Sequence, residues 1–271
     1  MSSATEQLES RIHDLKVAPG TVGLVWLGQA GFILKAPSGT IVMIDPYLSD
    51  WGEEQWGLKR IIDPPVDPGS FQPDMVLVSH WHEDHLDAPV IKRWARDGID
   101  AVFVGPDTCS KRAIAWGWTA ESVVTVELDD EVEFEDVIIR PTFARHETPE
   151  APTGNAFGYL VSIDGLKIWY VGDTEYDARL RPMREQLIDV ALIPINGVGG
   201  NLDADEAAML ICKVAPRIAV PIHYNMWAPE SFGPGATLDP QQFITTHGRL
   251  GGTAEVMILT VGEITTFRKS A

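Results

Sequence analysis

The stretch SHWHEDHLD, residues 79–87, decides how this chain is read. It follows the apolar run DMVLV and packs three histidines and two acids into six positions, His80 to His85. A polar surface loop is one account of such a run. A metal site is the other. His80 and His82 are one residue apart, so in an extended turn both rings can reach one cation. Asp84 and His85 come just before a helical stretch and can face a neighbouring cation. Imidazole nitrogen and carboxylate oxygen together suit Zn²⁺, Mn²⁺ or Fe²⁺.

Working outward, other apolar runs end the same way. VIIRPTFARH finishes on His146, KIWYVGD on Asp173 and RIAVPIH on His223. If these strand ends converge on one edge of the fold, the residues meet in space. A carboxylate has two oxygens and can bridge two cations; Asp173 is the candidate. His80, His82, Asp84, His85, His146, Asp173 and His223 then give three ligands per metal with one shared. That settles the choice against a surface loop. His13 and His247 fall in predicted helices with no ligand partner and read as ordinary surface or capping histidines.

The elements around these residues alternate between strands and helices. A helix is expected from Ser3 to about Leu15, with Ser3 and Glu6 at capping-box spacing. Strands follow at roughly 22–27, 31–36 and 40–45. Residues 47–73 show no clear period and read as a long loop, a lid or an interface. DMVLVSH is a strand, Ala88 to Asp97 a helix, AVFVG a strand, PDTCSKRAIAWG a helix and SVVTVEL a strand. EVEFEDVIIRPTFARH supplies two strands, and NAFGYLVSIDGLKIWYVGD a hairpin about Asp164-Gly165. VALIPI, a capped helix from Asp203 to about Val214, RIAVPIH and a helix in DPQQFITTHGRL come next. EVMILTVGEITTFRK is expected to close the chain as a hairpin. Two halves of similar make-up suggest two sheets face to face with helices outside, a four-layer αββα sandwich of the α+β class.

The chain has 271 residues, 45% of them hydrophobic, which suits a single domain over 1–271 with a sizeable core. The formal net charge of −18 disfavours a nucleic-acid partner. No apolar run nears the roughly 20 residues that span a bilayer, so no membrane partner is expected. No secretory signal is evident, and Cys109 and Cys212 show no paired framework; a cytoplasmic location is expected.

The motifs WLGQAGFIL, IDP, SHWHEDH, YVGDTEY and VPIHY, with His146, resemble the metallo-β-lactamase superfamily over nearly the whole chain. The resemblance implies the αββα sandwich and a binuclear site holding two divalent ions. By position, His80, His82 and His146 would hold the first ion. Asp84, His85 and His223 would hold the second, and Asp173 would bridge. Common β-lactamases of the superfamily carry arginine in place of His85 and a later cysteine ligand. This chain has neither, which implies the branch of lactonases, thioesterases, phosphodiesterases and nucleases. WLGQAGF, HWHEDHLD, GDTEY, PINGVGGN and VPIHYNMW are most similar to the L-ascorbate-6-phosphate lactonase-like group.

That resemblance implies a metal-activated bridging hydroxide acting on a lactone or carboxylic ester of a small polar molecule, including sugar phosphates. Phosphodiester cleavage on the same site is the alternative, and a non-enzymatic metal scaffold is another. Asp84 is expected to relay a proton to the leaving group. Tyr176, three residues after Asp173, is a candidate donor to the oxyanion. Asp45 is a candidate acceptor for a ligand histidine N–H. Asn196 with the glycines of INGVGGN is a candidate substrate loop. Arg145, Arg179 and Arg181 are candidate phosphate clamps. The 47–73 loop and nine tryptophans leave room for homo-oligomer contacts.

Overall fold

TVGLVWLG, residues 21–28, has no charged position, so both faces of such a strand need protein cover. The computed structural model, which describes residues 4–146, 155–228 and 239–269, provides it. In β1 (Thr21–Gly28), Val22, Leu24 and Trp26 join one buried cluster while Val25 and Leu27 join another. The alternation recurs in β3 (Ile41–Ile44): Val42 and Ile44 point one way, Ile41 and Met43 the other. The period of two along a strand thus feeds two separate cores.

The first sheet has the order β14-β1-β2-β3-β4-β5-β6. Its other members are β2 (Gly31–Lys35), β4 (Met75–Leu77), β5 (Val102–Gly105), β6 (Val123–Thr125) and β14 (Ile264–Arg268). The second has the order β13-β12-β11-β10-β9-β8-β7. It comprises β7 (Val132–Phe134), β8 (Val137–Phe143), β9 (Phe157–Ile163), β10 (Leu166–Tyr170), β11 (Val190–Pro194), β12 (Ile218–Ile222) and β13 (Glu255–Val256). Helices α1 (Ala4–Asp14), α3 (Ala88–Asp97) and α4 (Asp107–Ala115) bury Leu8, Ile12, Val90, Ile91, Trp94, Cys109 and Ala113 on the outer face of the first sheet. Helices α5 (Ala204–Val214) and α6 (Gln241–Arg249) pack against the second. The layers are therefore αββα.

Local chemistry sets several boundaries. Asp203 and Glu206 form a reciprocal capping box that starts α5. Asp87 starts α3 by accepting from the Val90 amide, and also accepts from Leu48 N, Ser49 N and Ser49 Oγ. One buried carboxylate thus pins the start of the 47–73 segment to the end of the histidine run. Burial pushes its pKa up to about 6 against the pull of those bonds.

The structure departs from the sequence expectations in four places. The last two strands form no hairpin: β13 pairs with β12 in the second sheet, and β14 with β1 in the first. The 47–73 loop contains a short helix, α2 (Trp51–Trp56), stopped by Gly57 at φ 71°. A 3₁₀ segment at Ala178–Gln186 went unread. His247 is buried against Phe243 rather than on the surface, whereas His13 is exposed. Ser3, the expected cap of α1, lies outside the described residues.

Candidate metal centre

Strands β3 and β4 run parallel, as do β10, β11 and β12; β8 shares their direction through antiparallel β9. Their carboxyl ends open at one edge of the sandwich and release Asp45, the His80–His85 run, His146, Asp173 and His223 in turn. Contacts between the sheets close that edge. Tyr170 Oη donates to Asp45 Oδ2 at 2.5 Å, Tyr159 Oη to Val78 O at 2.7 Å, and Phe157 N to Ser79 O at 3.1 Å.

The seven expected side chains come together there as two adjoining sets. In the first, His82 Nδ1 lies 2.9 Å from His80 Nε2 and 3.1 Å from His146 Nε2. In the second, His223 Nε2 is 3.4 Å from His85 Nε2 and 3.5 Å from Asp84 Oδ2. Asp173 faces both: Oδ2 is 3.4 Å from His85 Nε2 and 4.0 Å from His146 Nε2, and Oδ1 is 3.3 Å from His223 Nε2. Within each set the candidate ligand atoms lie within 4.8 Å of one another.

The outward nitrogens explain why the inward ones suit cations. His85 Nδ1 meets Asp45 Oδ2 at 2.6 Å, so a proton stays on Nδ1 and Nε2 is the nitrogen turned to the cluster that a cation would take. His146 Nδ1 faces Gly200 O at 3.1 Å, with the same result. Ser79 Oγ donates to Asp45 and lies 3.0 Å from His80 Nδ1, leaving an oxygen lone pair for that ring. The inward nitrogens of His80, His85 and His146 therefore converge while their outward nitrogens are engaged elsewhere. Asp173 Oδ1 is buried and faces His223 Nε2 at 3.3 Å. A buried set of this kind is satisfied by divalent cations, and its N/O composition fits zinc, manganese or iron.

The two sets differ in charge. Burial, then the neighbouring histidines, holds His80 well below its usual range; burial likewise brings His82 down to about 4. His80 and His82 are thus deprotonated at neutral pH. In the second, burial opposes charge on His223, but Asp173 and Asp84 outweigh it and raise the ring to about 9. The carboxyl of Asp173 resists ionisation through burial, yet His223 and His85 hold it well below the carboxylate range.

Burial opposes charge on His85 too, but the same carboxylates, with Asp45, raise it well above its usual range, so loading the second set must expel protons from both rings. Its apparent metal affinity should rise at least about tenfold per pH unit from 7 to 9. Calorimetry in buffers of different ionisation enthalpy checks this; no net proton release at pH 7 would contradict it.

Three contributors escaped the sequence reading. Gln29 lies between β1 and β2 with φ 51°, and its Nε2 donates to Asp84 Oδ2 at 2.8 Å. Asn201 Nδ2 donates to Asp173 Oδ2 at 2.7 Å. Ser79 links Asp45 to His80. WLGQAGF and INGVGGN marked the first two positions, but nothing in an isolated amide says which carboxylate it will hold. Gln29→Leu should weaken binding at the second set about 10–100-fold and leave the first unchanged. Stepwise metal titration reads both, and equal loss at both sets would refute the assignment.

A cavity of about 330 Å³ stands over the cluster, lined by Trp56, Leu58, Asn196, Val198, Gly199 and Trp227 above His82, Asp84, Asp173 and His223. The loop about Asn196 thus faces the site, as expected. Tyr176 does not line the cavity. Its half-buried ring packs on the main core, and its hydroxyl accepts from Arg181 at 3.1 Å, because the chain turns away after Thr174 into the 3₁₀ segment. The structure brings no expected arginine to the cavity either. Arg145 pairs with Glu175, and Arg179 is held by Asp177 over the Phe143 ring.

The family described as "Beta-lactamase superfamily domain" matches residues 23–223. A protein of Thermococcus kodakarensis named as a UPF0173 metal-dependent hydrolase is 31% identical over 248 residues, covering 89% of this chain and 98% of its own length. A protein of Shigella dysenteriae named "Probable L-ascorbate-6-phosphate lactonase UlaG" is 26% identical, covering 82% of this chain and 74% of its own. Among solved structures, the metallo hydrolase Igni18 of Ignicoccus hospitalis superposes with a TM-score of 0.70 at 25% identity, over 92% of this chain and all of that one.

Proposed function

Because this chain belongs to the β-lactamase superfamily and is a metal-dependent hydrolase, we propose that it hydrolyses the carbonyl of a lactone or carboxylic ester in a small molecule. One observation carries the choice of carbonyl over phosphodiester. Among the described residues, no lysine or arginine lines the cavity, and the residues outside that description contain neither. Phosphoryl transfer spreads negative charge over several oxygens and is commonly clamped by side-chain cations. A carbonyl develops charge on one oxygen.

His80, His82 and His146 would hold one ion, Asp84, His85 and His223 the other, with Asp173 shared. Bound there, the ions would supply Lewis acidity and lower the pKa of a coordinated water from 15.7 towards about 7. The protein's part is orientation. Asp45 fixes the tautomer and tilt of His85. Gln29 and Asn201 each fix one carboxylate by a single N–H, leaving lone pairs free. Asp84, which lines the cavity, is the group that takes a proton during attack and returns it to the leaving oxygen. Trp56 and Leu58 make the 47–73 segment a wall of the cavity and the candidate lid.

The test is a parallel assay of metal-reconstituted protein on δ-lactones, aryl esters and bis(p-nitrophenyl) phosphate. The lactone or ester should lead in kcat/KM. A lead for the diester would overturn the proposal.

A further inference from the structure

We infer that the non-reacting part of the substrate is uncharged, flat and apolar, such as an aryl ring, rather than a phosphorylated sugar. This builds on the carbonyl-hydrolase reading and names its substrate class. Two indoles stand beside the candidate ligands. Trp56 meets the His82 ring edge-to-face at 6.2 Å and 85°, and Trp227 meets His223 at 6.4 Å and 84°. One belongs to each metal set, and both line the cavity with Leu58 and Val198. Flat apolar walls of this kind favour a ring, which stacks or packs edge-on against indole.

Charge points the same way. A phosphate carried away from the carbonyl needs its own cation, since the ions are engaged at the reacting centre. The nearest basic residues in sequence to the lining are Lys59 and Arg60. Lys59 is exposed and does not line the cavity. Arg60 is buried and turned inward, donating to Tyr47 O, Ser49 O and Ile62 O and lying over the Tyr47 ring. The segments 147–154 and 229–238, which follow His146 and Ala228, contain three glutamates and no basic residue. Among the described residues that line the cavity, a remote anionic group would meet no lysine or arginine, in a protein of net charge −18.

The experiment uses full-length, metal-reconstituted protein. Hydrolysis of dihydrocoumarin is compared with that of 6-phosphoglucono-δ-lactone. Binding of 3,4-dihydro-2-quinolinone, the non-hydrolysable lactam of dihydrocoumarin, is measured by calorimetry. Dihydrocoumarin should lead by about 100-fold in kcat/KM. Trp227→Ala should weaken lactam binding about tenfold and raise KM more than it lowers kcat, with Trp227→Phe restoring most of the loss. Trp56→Ala, at an exposed position that spares the fold, should act in the same direction. Equal or better turnover of the phosphorylated lactone, or failure of the lactam to bind, overturns the inference. Lactam binding without turnover of either lactone supports it while removing the carbonyl-hydrolase reading.

Discussion

A fall of about 10²–10⁴-fold in kcat/KM is the expected result of Asp173→Asn. The exchange keeps shape, and the amide oxygen can still accept from Asn201 Nδ2, now 2.7 Å from Oδ2. What disappears is the negative charge facing His85, His146 and His223. A shared ligand sits closer to the chemistry than the outer partners of a metal site, whose loss costs about 10–100-fold, so a larger fall is expected. Elemental analysis should find fewer than two ions per chain, with near-native circular dichroism. Two retained ions and activity within tenfold of the parent would show that Asp173 is not the shared ligand.

Asp45→Ala should cost stability even with metal removed. Asp45 is fully buried and accepts from His85 Nδ1, Ser79 N, Ser79 Oγ and Tyr170 Oη. Ser79 Oγ can turn elsewhere; the other three lose their acceptor. Buried polar groups left unpaired cost about 1–3 kcal/mol each, so the total is roughly 3–6 kcal/mol after local relaxation. For a chain of this size, at about 2 °C per kcal/mol, that lowers Tm by roughly 6–12 °C. The backbone adds to the loss, since Asp45 sits at φ 42°, where alanine fits poorly. Asparagine tolerates that conformation and keeps one oxygen, so Asp45→Asn should fall between. Melting in excess chelator decides, and a drop of less than 3 °C for the alanine variant would contradict the argument.

The seven clustered side chains were legible because each ends an apolar strand or opens the loop after one, and parallel strands bring such ends to one edge. The αββα layering was legible for a similar reason: two runs of strands, each with its own helices, imply two sheets. The closing strands were misjudged because local alternation reports a strand without naming its sheet. Glu255–Val256 and Ile264–Arg268 are close in sequence, yet the chain crosses between layers from one to the other. The six residues of α2 span less than two turns, too few for a helical period to stand out. Gln29 and Asn201 act across 55 and 28 positions respectively, which no local pattern encodes. The burial of His247 had a usable signal. Phe243, four residues earlier, lies on the same helical face, and the two rings stack.

The run from His80 to His85 leaves the first sheet, whereas His146, Asp173 and His223 leave the second. Ions held among them would rivet the two layers together, so that prising the sandwich apart must also empty the site. Metal availability would then set part of the folded protein's stability. Free metal at 100 times its dissociation constant adds about 2.7 kcal/mol against unfolding. Stripped of that metal, the protein should melt at a lower temperature as well as lose activity.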